Sequence, residues 1–290
     1  MSAPKAPTGP GVTRTGAILA AFIRRDAIDA TSYKLVLVRE LSSLVSTLLS
    51  VYFLSRLIDG GGATGRAASV SAQSLARYGG DYFEFALIGT ALGDYVATSL
   101  SGMSRGLRIA QTLGTLEAML ATPAPRWTIA VGSAAYRQLW SLVRVALYIL
   151  IGMALGARFE GASWGAALVA LVLSLLAFSA IGLLAAATVL VLKAFEPITA
   201  LFTGLSWLLG GVLYPPSALP DWLAAVGQAL PLTHALEALR RTVLAGASLG
   251  DVWPSLAILA AFTAVLMPIA AWAYAAAIHR IRVEGSVSHY

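Results

Sequence analysis

Five ionisable residues lie within otherwise apolar stretches of this chain: Arg39, Glu40, Glu84, Asp94 and Arg144. A charge carried into hydrocarbon costs about 2.5–3.5 kcal/mol on insertion scales, so each needs a partner or a water-lined cavity. Asp94 stands about ten residues from either end of the run 83–103, and Arg144 about eight residues into the run 136–157. At 1.5 Å per helical residue both fall roughly 12–15 Å deep. Matching depths and opposite signs predict an interhelical ion pair, with solvation by a pathway as the rival reading. Arg39 and Glu40 sit near a run's end, where long side chains reach the interface. Glu84 lies at the outer end of its run.

Two other stretches suggest chemistry and do not sustain it. The letters GASWG, Gly161 to Gly165, match the G-x-S-x-G nucleophile elbow, with His234 and Asp221 as conceivable partners. That elbow needs a strand before it, and here an apolar helical run precedes it. Ser163 as a helix N-cap and Trp164 as an interface anchor explain the same letters. The stretch DGGGATGR, Asp59 to Arg66, lacks the lysine of a phosphate loop and reads as a flexible connection. The chain has no cysteine, and its three histidines show no metal-ligand spacing. Its lysines, Lys5, Lys34 and Lys193, do not follow a glycine, so there is no Walker A loop and no ATP site of that kind.

The elements that would position these charges follow from composition. Hydrophobic residues make up 58% of the 290 positions and charged residues 12%, with mean hydropathy +0.77, as expected of an integral membrane chain. Spans of about 20 apolar residues are expected at 35–57, 83–103, 136–157, 164–192, 198–214 and 254–278. The fifth is short. The first is too long and too late for a cleaved leader and is expected to insert itself. With the N-terminus inside, twelve Lys and Arg, from Lys5 to Arg282, fall in cytoplasmic segments, against six outside: Arg56, Arg66, Arg77, Arg158, Arg240 and Arg241. The bias places both termini in the cytoplasm. Net charge +6 then reads as attraction to anionic membrane lipid, not nucleic acid.

Three amphipathic segments flank the spans. Residues 14–32 read as an interfacial helix, with Ile18, Leu19, Phe22 and Ile23 apolar, Arg24 and Arg25 basic, and Asp26 near the stripe's edge. In 105–122, Ile109, Leu113, Leu116 and Leu120 form one stripe at i, i+4, i+7 and i+11, while Arg108, Gln111, Thr115 and Glu117 point away. Pro123 and Pro125 are expected to end that helix. In 217–247, Leu232, Leu236, Leu239 and Val243 form a third stripe, with Glu237, Arg240 and Arg241 turned away. Pro215, Pro216 and Pro220 break the chain before it and Pro231 divides it, so neither half spans. A re-entrant pair at the bundle's outer end is the expected placement.

The stretch GTLEAMLATPAPRW, Gly114 to Trp127, resembles the cytoplasmic coupling segment of ABC-2 type membrane subunits of ABC transporters. The stretch from Gly210 to Arg241, GGVLYPPSALPDWLAAVGQALPLTHALEALRR, is similar to that family's signature before the last span. The resemblance implies an all-α integral membrane fold and an exporter's permease subunit in the cell membrane, plasma or inner. Such a subunit works as a dimer with a second permease, identical or not, above two copies of an ABC ATPase. Gly114, Thr115, Leu116, Glu117, Met119, Leu120, Thr122 and Pro123 would face the ATPase, and Phe22, Arg24 and Arg25 of the interfacial helix would touch it too. ATP and Mg would enter through that partner only. Tyr214, Pro215, Pro220, Pro231 and Arg240 would form an outer gate. The substrate would be hydrophobic or amphipathic: drug, lipid, glycolipid or peptide. The short outer segment between the first two spans departs from members with a large extracellular domain. A secondary carrier built on Asp94 and Arg144 is the alternative from another class, but midplane ion ligands and an inverted repeat are lacking.

Overall fold

The computed structural model of the chain describes residues 12–58, 78, 81–115, 118–119, 126–192 and 196–284. Among these the apolar runs fold as helices: α1 Val12–Ser32, α2 Lys34–Leu57, α3 Tyr82–Thr112, α4 Arg126–Ala154, α5 Trp164–Leu192, α6 Glu196–Leu209, α7 Asp221–Gln228, α8 Pro231–Val243 and α9 Trp253–Glu284, with a short 3₁₀ turn at Pro216–Ala218. Four of them, α2, α4, α5 and α9, are long and apolar enough to cross a membrane. α3 is also long, at 31 residues, but carries Glu84 and Asp94, and α6 has only 14.

Shared core residues fix the helix directions. One cluster joins Ile88, Leu92 and Tyr95 of α3 to Ala167 and Ala170 of α5 and Leu256 of α9; a second joins Leu107 and Ala110 of α3 to Ala186 of α5 and Ala277 of α9. α3, α5 and α9 are therefore parallel. Ile129, near the start of α4, belongs with Leu107 near the end of α3, so α4 runs against them. α2 does too, with Val51, near its end, beside Phe83 at the start of α3.

The packing is that of a protein in lipid. α5 carries no charge from Trp164 to Leu192; it turns Ala166, Ala170, Ala177 and Ala180 inward and Leu168, Val172 and Leu176 outward. Small residues let the backbones of α3, α5 and α9 approach closely, while the large apolar groups face hydrocarbon. Exposed Trp164, Trp222 and Trp253 lie at the starts of α5, α7 and α9, the same end of the bundle, as interfacial anchors do. Pro268 sits inside α9 without ending it, which neighbouring helices make tolerable.

The boundaries correct the sequence reading in three places. The second run continues without a break into the first part of the following amphipathic segment as α3, which ends at Thr112; Thr115, Ala118 and Met119 are helical again, and the expected end at Pro123 lies outside the described residues. Gly114 turns the chain with φ +67°, a conformation that costs a residue with a β-carbon about 1–2 kcal/mol. The third run begins at Arg126, ten residues earlier than its hydropathy suggests, and the fifth ends at Leu209 rather than 214.

Candidate functional site

Four groups of residues are candidates from the sequence: the segment after α3, α1, the pair Asp94 and Arg144, and the outer residues around Arg240. At the end where α3 stops, Leu113 N–H donates to Ile109 O at 2.9 Å and Thr115 Oγ1 to Ala110 O at 3.3 Å, closing the last turn. The expected stripe does not form a packed face there: Ile109 and Leu113 are exposed, whereas Leu107 and Ala110 are buried. Gly114 and Thr115 are exposed and Met119 packs against the cluster around Leu107. Leu116, Glu117, Leu120, Thr122 and Pro123 lie outside the described residues.

α1 lies beside this end, packed chiefly along α4. Phe22 fills the space that Gly132 leaves open: a β-carbon there would stand 2.6 Å from the ring's Cδ2. Asp26 falls on the docked face, not at its edge, and is matched by Arg25, whose Nη2 lies 2.7 Å from Asp26 Oδ1 while its guanidinium covers Phe22 at 5.1 Å. Arg24 is exposed.

Midway along the bundle the structure brings Asp94 and Arg144 together, Nη2 to Oδ1 at 2.8 Å between α3 and α4. They belong to a polar seam. Trp140 Nε1 donates to Glu40 Oε2 at 2.6 Å, linking α4 to α2. Gln138 donates to the Tyr95 hydroxyl and reaches Ser99 Oγ at 3.4 Å. Tyr148 lies in polar contact with both Arg144 and Thr47. Asp94 Oδ2 and Arg144 Nε are buried and lack a hydrogen-bond partner among the described residues. A partly buried pair so incompletely satisfied fixes helix register more than it adds stability. Glu84, by contrast, accepts Arg158 N–H at 2.6 Å near the bundle's other end.

At that other end the sequence reading is overturned for Arg240. It is not turned away from the helix stripe but is 1% exposed, the largest fully buried side chain in the described molecule. Its guanidinium donates to Phe85 O from Nε and Nη2 at 3.2 and 3.0 Å, to Gly211 O at 2.7 Å and to Val212 O at 2.8 Å. Phe85's ring lies 3.4 Å from its central carbon. Gly211 and Val212 follow the end of α6, where carbonyls have no intrahelical partner, so a planar five-donor cation is suited to satisfying them. Burial lowers the Arg240 pKa to about 9, leaving it cationic at neutral pH. Tyr82 Oη donates to Leu213 O at 2.9 Å, and Tyr78 Oη to Glu237 Oε2 at 2.5 Å. α3, α6 and α8 thus meet at one knot. α8 is buried among α3, α5 and α9 over most of its surface, from Pro231 to Val243, and leaves one partly exposed face of His234, Glu237 and Arg241, so that of Glu237, Arg240 and Arg241 only Arg240 departs from the expected placement.

The remaining gate residues surround that knot. Tyr214 folds back to donate to Leu208 O, Pro215 precedes the 3₁₀ turn, Pro220 precedes α7, and Pro231 occupies the first turn of α8, where its missing N–H is harmless. The loop bearing Ser163 is docked here through its backbone, Ser163 N donating to Thr242 O at 2.8 Å. His234 instead contacts Gln228 O at 2.8 Å.

Residues 79–244, more than half of the chain, match the family model described as ABC-2 type transporter. The matched segment takes in the ion pair, the turn at Gly114 and the Arg240 knot. No curated protein matches the sequence individually.

Proposed function

This chain belongs to the ABC-2 type transporter family, and we propose that it is the permease half of an ATP-driven exporter, crossing the cell membrane six times with both termini in the cytoplasm. It is an ABC-type transporter permease and a multi-pass membrane protein. Domains of this family generally lack an ATP site of their own and usually work with an ABC ATPase. In our reading two permeases pair over two ATPase copies, and hydrolysable ATP with Mg is bound by that partner. Nucleotide-driven closure pushes on α1 and on the segment after Gly114, and the two bundles change between inward-open and outward-open or collapsed states. The α3–α6–α8 knot serves as the outer gate's fixed frame. The cargo is hydrophobic or amphipathic, since the helix faces available to it are apolar. The secondary-carrier alternative has no support in the family match.

The observation that carries this reading is the family match over α3 to α8, joined to the parallel and antiparallel alternation of the long helices. The test is copurification with candidate ABC ATPases in detergent or nanodiscs, followed by vanadate-sensitive ATP hydrolysis. Capture of two ATPase copies per permease dimer is expected; a permease that captures none overturns the reading. Gly114→Val provides a graded check. Forcing a β-branched residue to positive φ costs about 1–2 kcal/mol, so ATPase affinity is expected to fall roughly tenfold, with monodispersity in size-exclusion chromatography unchanged.

A further inference from the structure

On α4, two consecutive residues are each gripped by a different helix. Gly132 receives the ring of Phe22 from α1, at the 2.6 Å hypothetical β-carbon distance given above. Ser133 is crossed by α3 at Gly106, where a β-carbon would stand 2.7 Å from the Ser133 carbonyl oxygen. Both contacts exist only because a side chain is missing. Gly132 and Ser133 are themselves buried. Gly106 lies six residues, about 9 Å, before the end of α3 at Thr112.

We infer that Gly132 and Ser133 form the point at which two separate cytoplasmic inputs converge on one span, with Phe22 and Gly132 as positioning residues that seat α1 on α4. The inference rests on the functional reading above, in which α1 and the end of α3 face the ATPase. A displacement of α1 reaches α4 through the Phe22 ring; a displacement of α3 reaches it one residue later through the Gly106 crossing. Interfaces packed this closely do not deform gradually, so the two inputs shift α4 as a unit. α4 also carries Trp140 and Arg144, each bonded to a neighbouring helix. Its movement therefore passes directly into the polar seam.

The chain's lack of cysteine allows one reporter to be placed cleanly. Ala154→Cys puts a thiol on an exposed position at the outer end of α4, about 33 Å from Gly132. Maleimide labelling of the permease–ATPase complex is measured with and without ATP plus vanadate. A nucleotide-dependent rate change of threefold or more is expected; Phe22→Ala or Gly132→Ala is expected to abolish most of it, and Gly132→Ala, which lies away from the ATPase-facing residues, is expected to do so while ATPase copurification stays normal. Phe22→Leu, which keeps an apolar group in the notch, restores at least half. Because both substitutions break one contact, the Phe22→Ala, Gly132→Ala double variant is no worse than either single one. No nucleotide-dependent change in the reporter background overturns the proposal. So do single variants that leave the change intact, or whose effects multiply. If the unaltered complex binds no ATPase, the functional reading itself has failed, which copurification shows before any labelling.

Discussion

Arg240→Ala is expected to lower the thermal midpoint of the purified protein by roughly 10 °C, more than any other single substitution at the sites described. The guanidinium satisfies carbonyls of Phe85, Gly211 and Val212 in a dry site, and hydrogen bonds to charged groups contribute about 1.5–3 kcal/mol each. Truncation leaves all three carbonyls unpaired beneath a cavity, and a loss of about 4 kcal/mol corresponds to several degrees or more in a chain of this size. Arg240→Lys is expected to recover only part. An ammonium keeps the charge but cannot present the planar fork that reaches three oxygens while lying on Phe85. Arg241→Ala is the control: Arg241 donates to Asp251 O at 3.0 Å on the exposed side, and its removal is expected to change stability by no more than about 0.5 kcal/mol. Equal midpoints for the two alanine variants would contradict the role assigned to Arg240.

The second large effect concerns Asp94 and Arg144. Removing one partner of a buried pair costs about 3–5 kcal/mol because the other charge is stranded. Asp94→Ala alone is therefore expected to reduce the yield of monodisperse protein sharply. The double variant Asp94→Ala, Arg144→Ala leaves no stranded charge, and replacing a pair by apolar groups is often close to neutral. Recovery of more than half of the lost stability is expected, read as a coupling energy of about 2 kcal/mol in a double-mutant cycle. If the double variant is as poor as the single one, Arg144 and Asp94 serve water or cargo separately and the pair is incidental.

What the sequence made legible was set by the range of the physics involved. Long apolar runs declare themselves within 20 residues, so the helix Trp164–Leu192 was expected at its observed bounds. The meeting of Asp94 with Arg144 was legible for a related reason, since in a membrane two opposite charges at matched depth on consecutive runs have few other partners. The end of α3 was not. Ile109, Leu113, Leu116 and Leu120 keep helical spacing across the break, and that periodicity outweighed the one local signal against it, Gly114. Arg240 was misplaced because a cation at the edge of an apolar stripe is ordinarily solvated. Its partners are carbonyls 28 to 155 residues away, and no spacing rule encodes contacts that the tertiary fold alone creates. Asp26 was misjudged more narrowly: its neighbour Arg25 neutralises it, a pairing visible in the sequence.

α3 is a single rod about 46 Å long, roughly 15 Å more than the thickness of a bilayer's hydrocarbon. In the proposed transport cycle Phe85, clamped by Arg240, is the fulcrum of this rod and Thr112 the tip of a lever arm of about 40 Å. Asp94 sits about 13 Å along that arm. A 3 Å thrust at the tip therefore arrives at the Asp94 carboxylate as a stroke of about 1 Å, enough to stretch a 2.8 Å ion pair past its useful length. Leverage of this kind trades amplitude for force, so a large excursion beneath the membrane becomes a small, strong displacement at its centre.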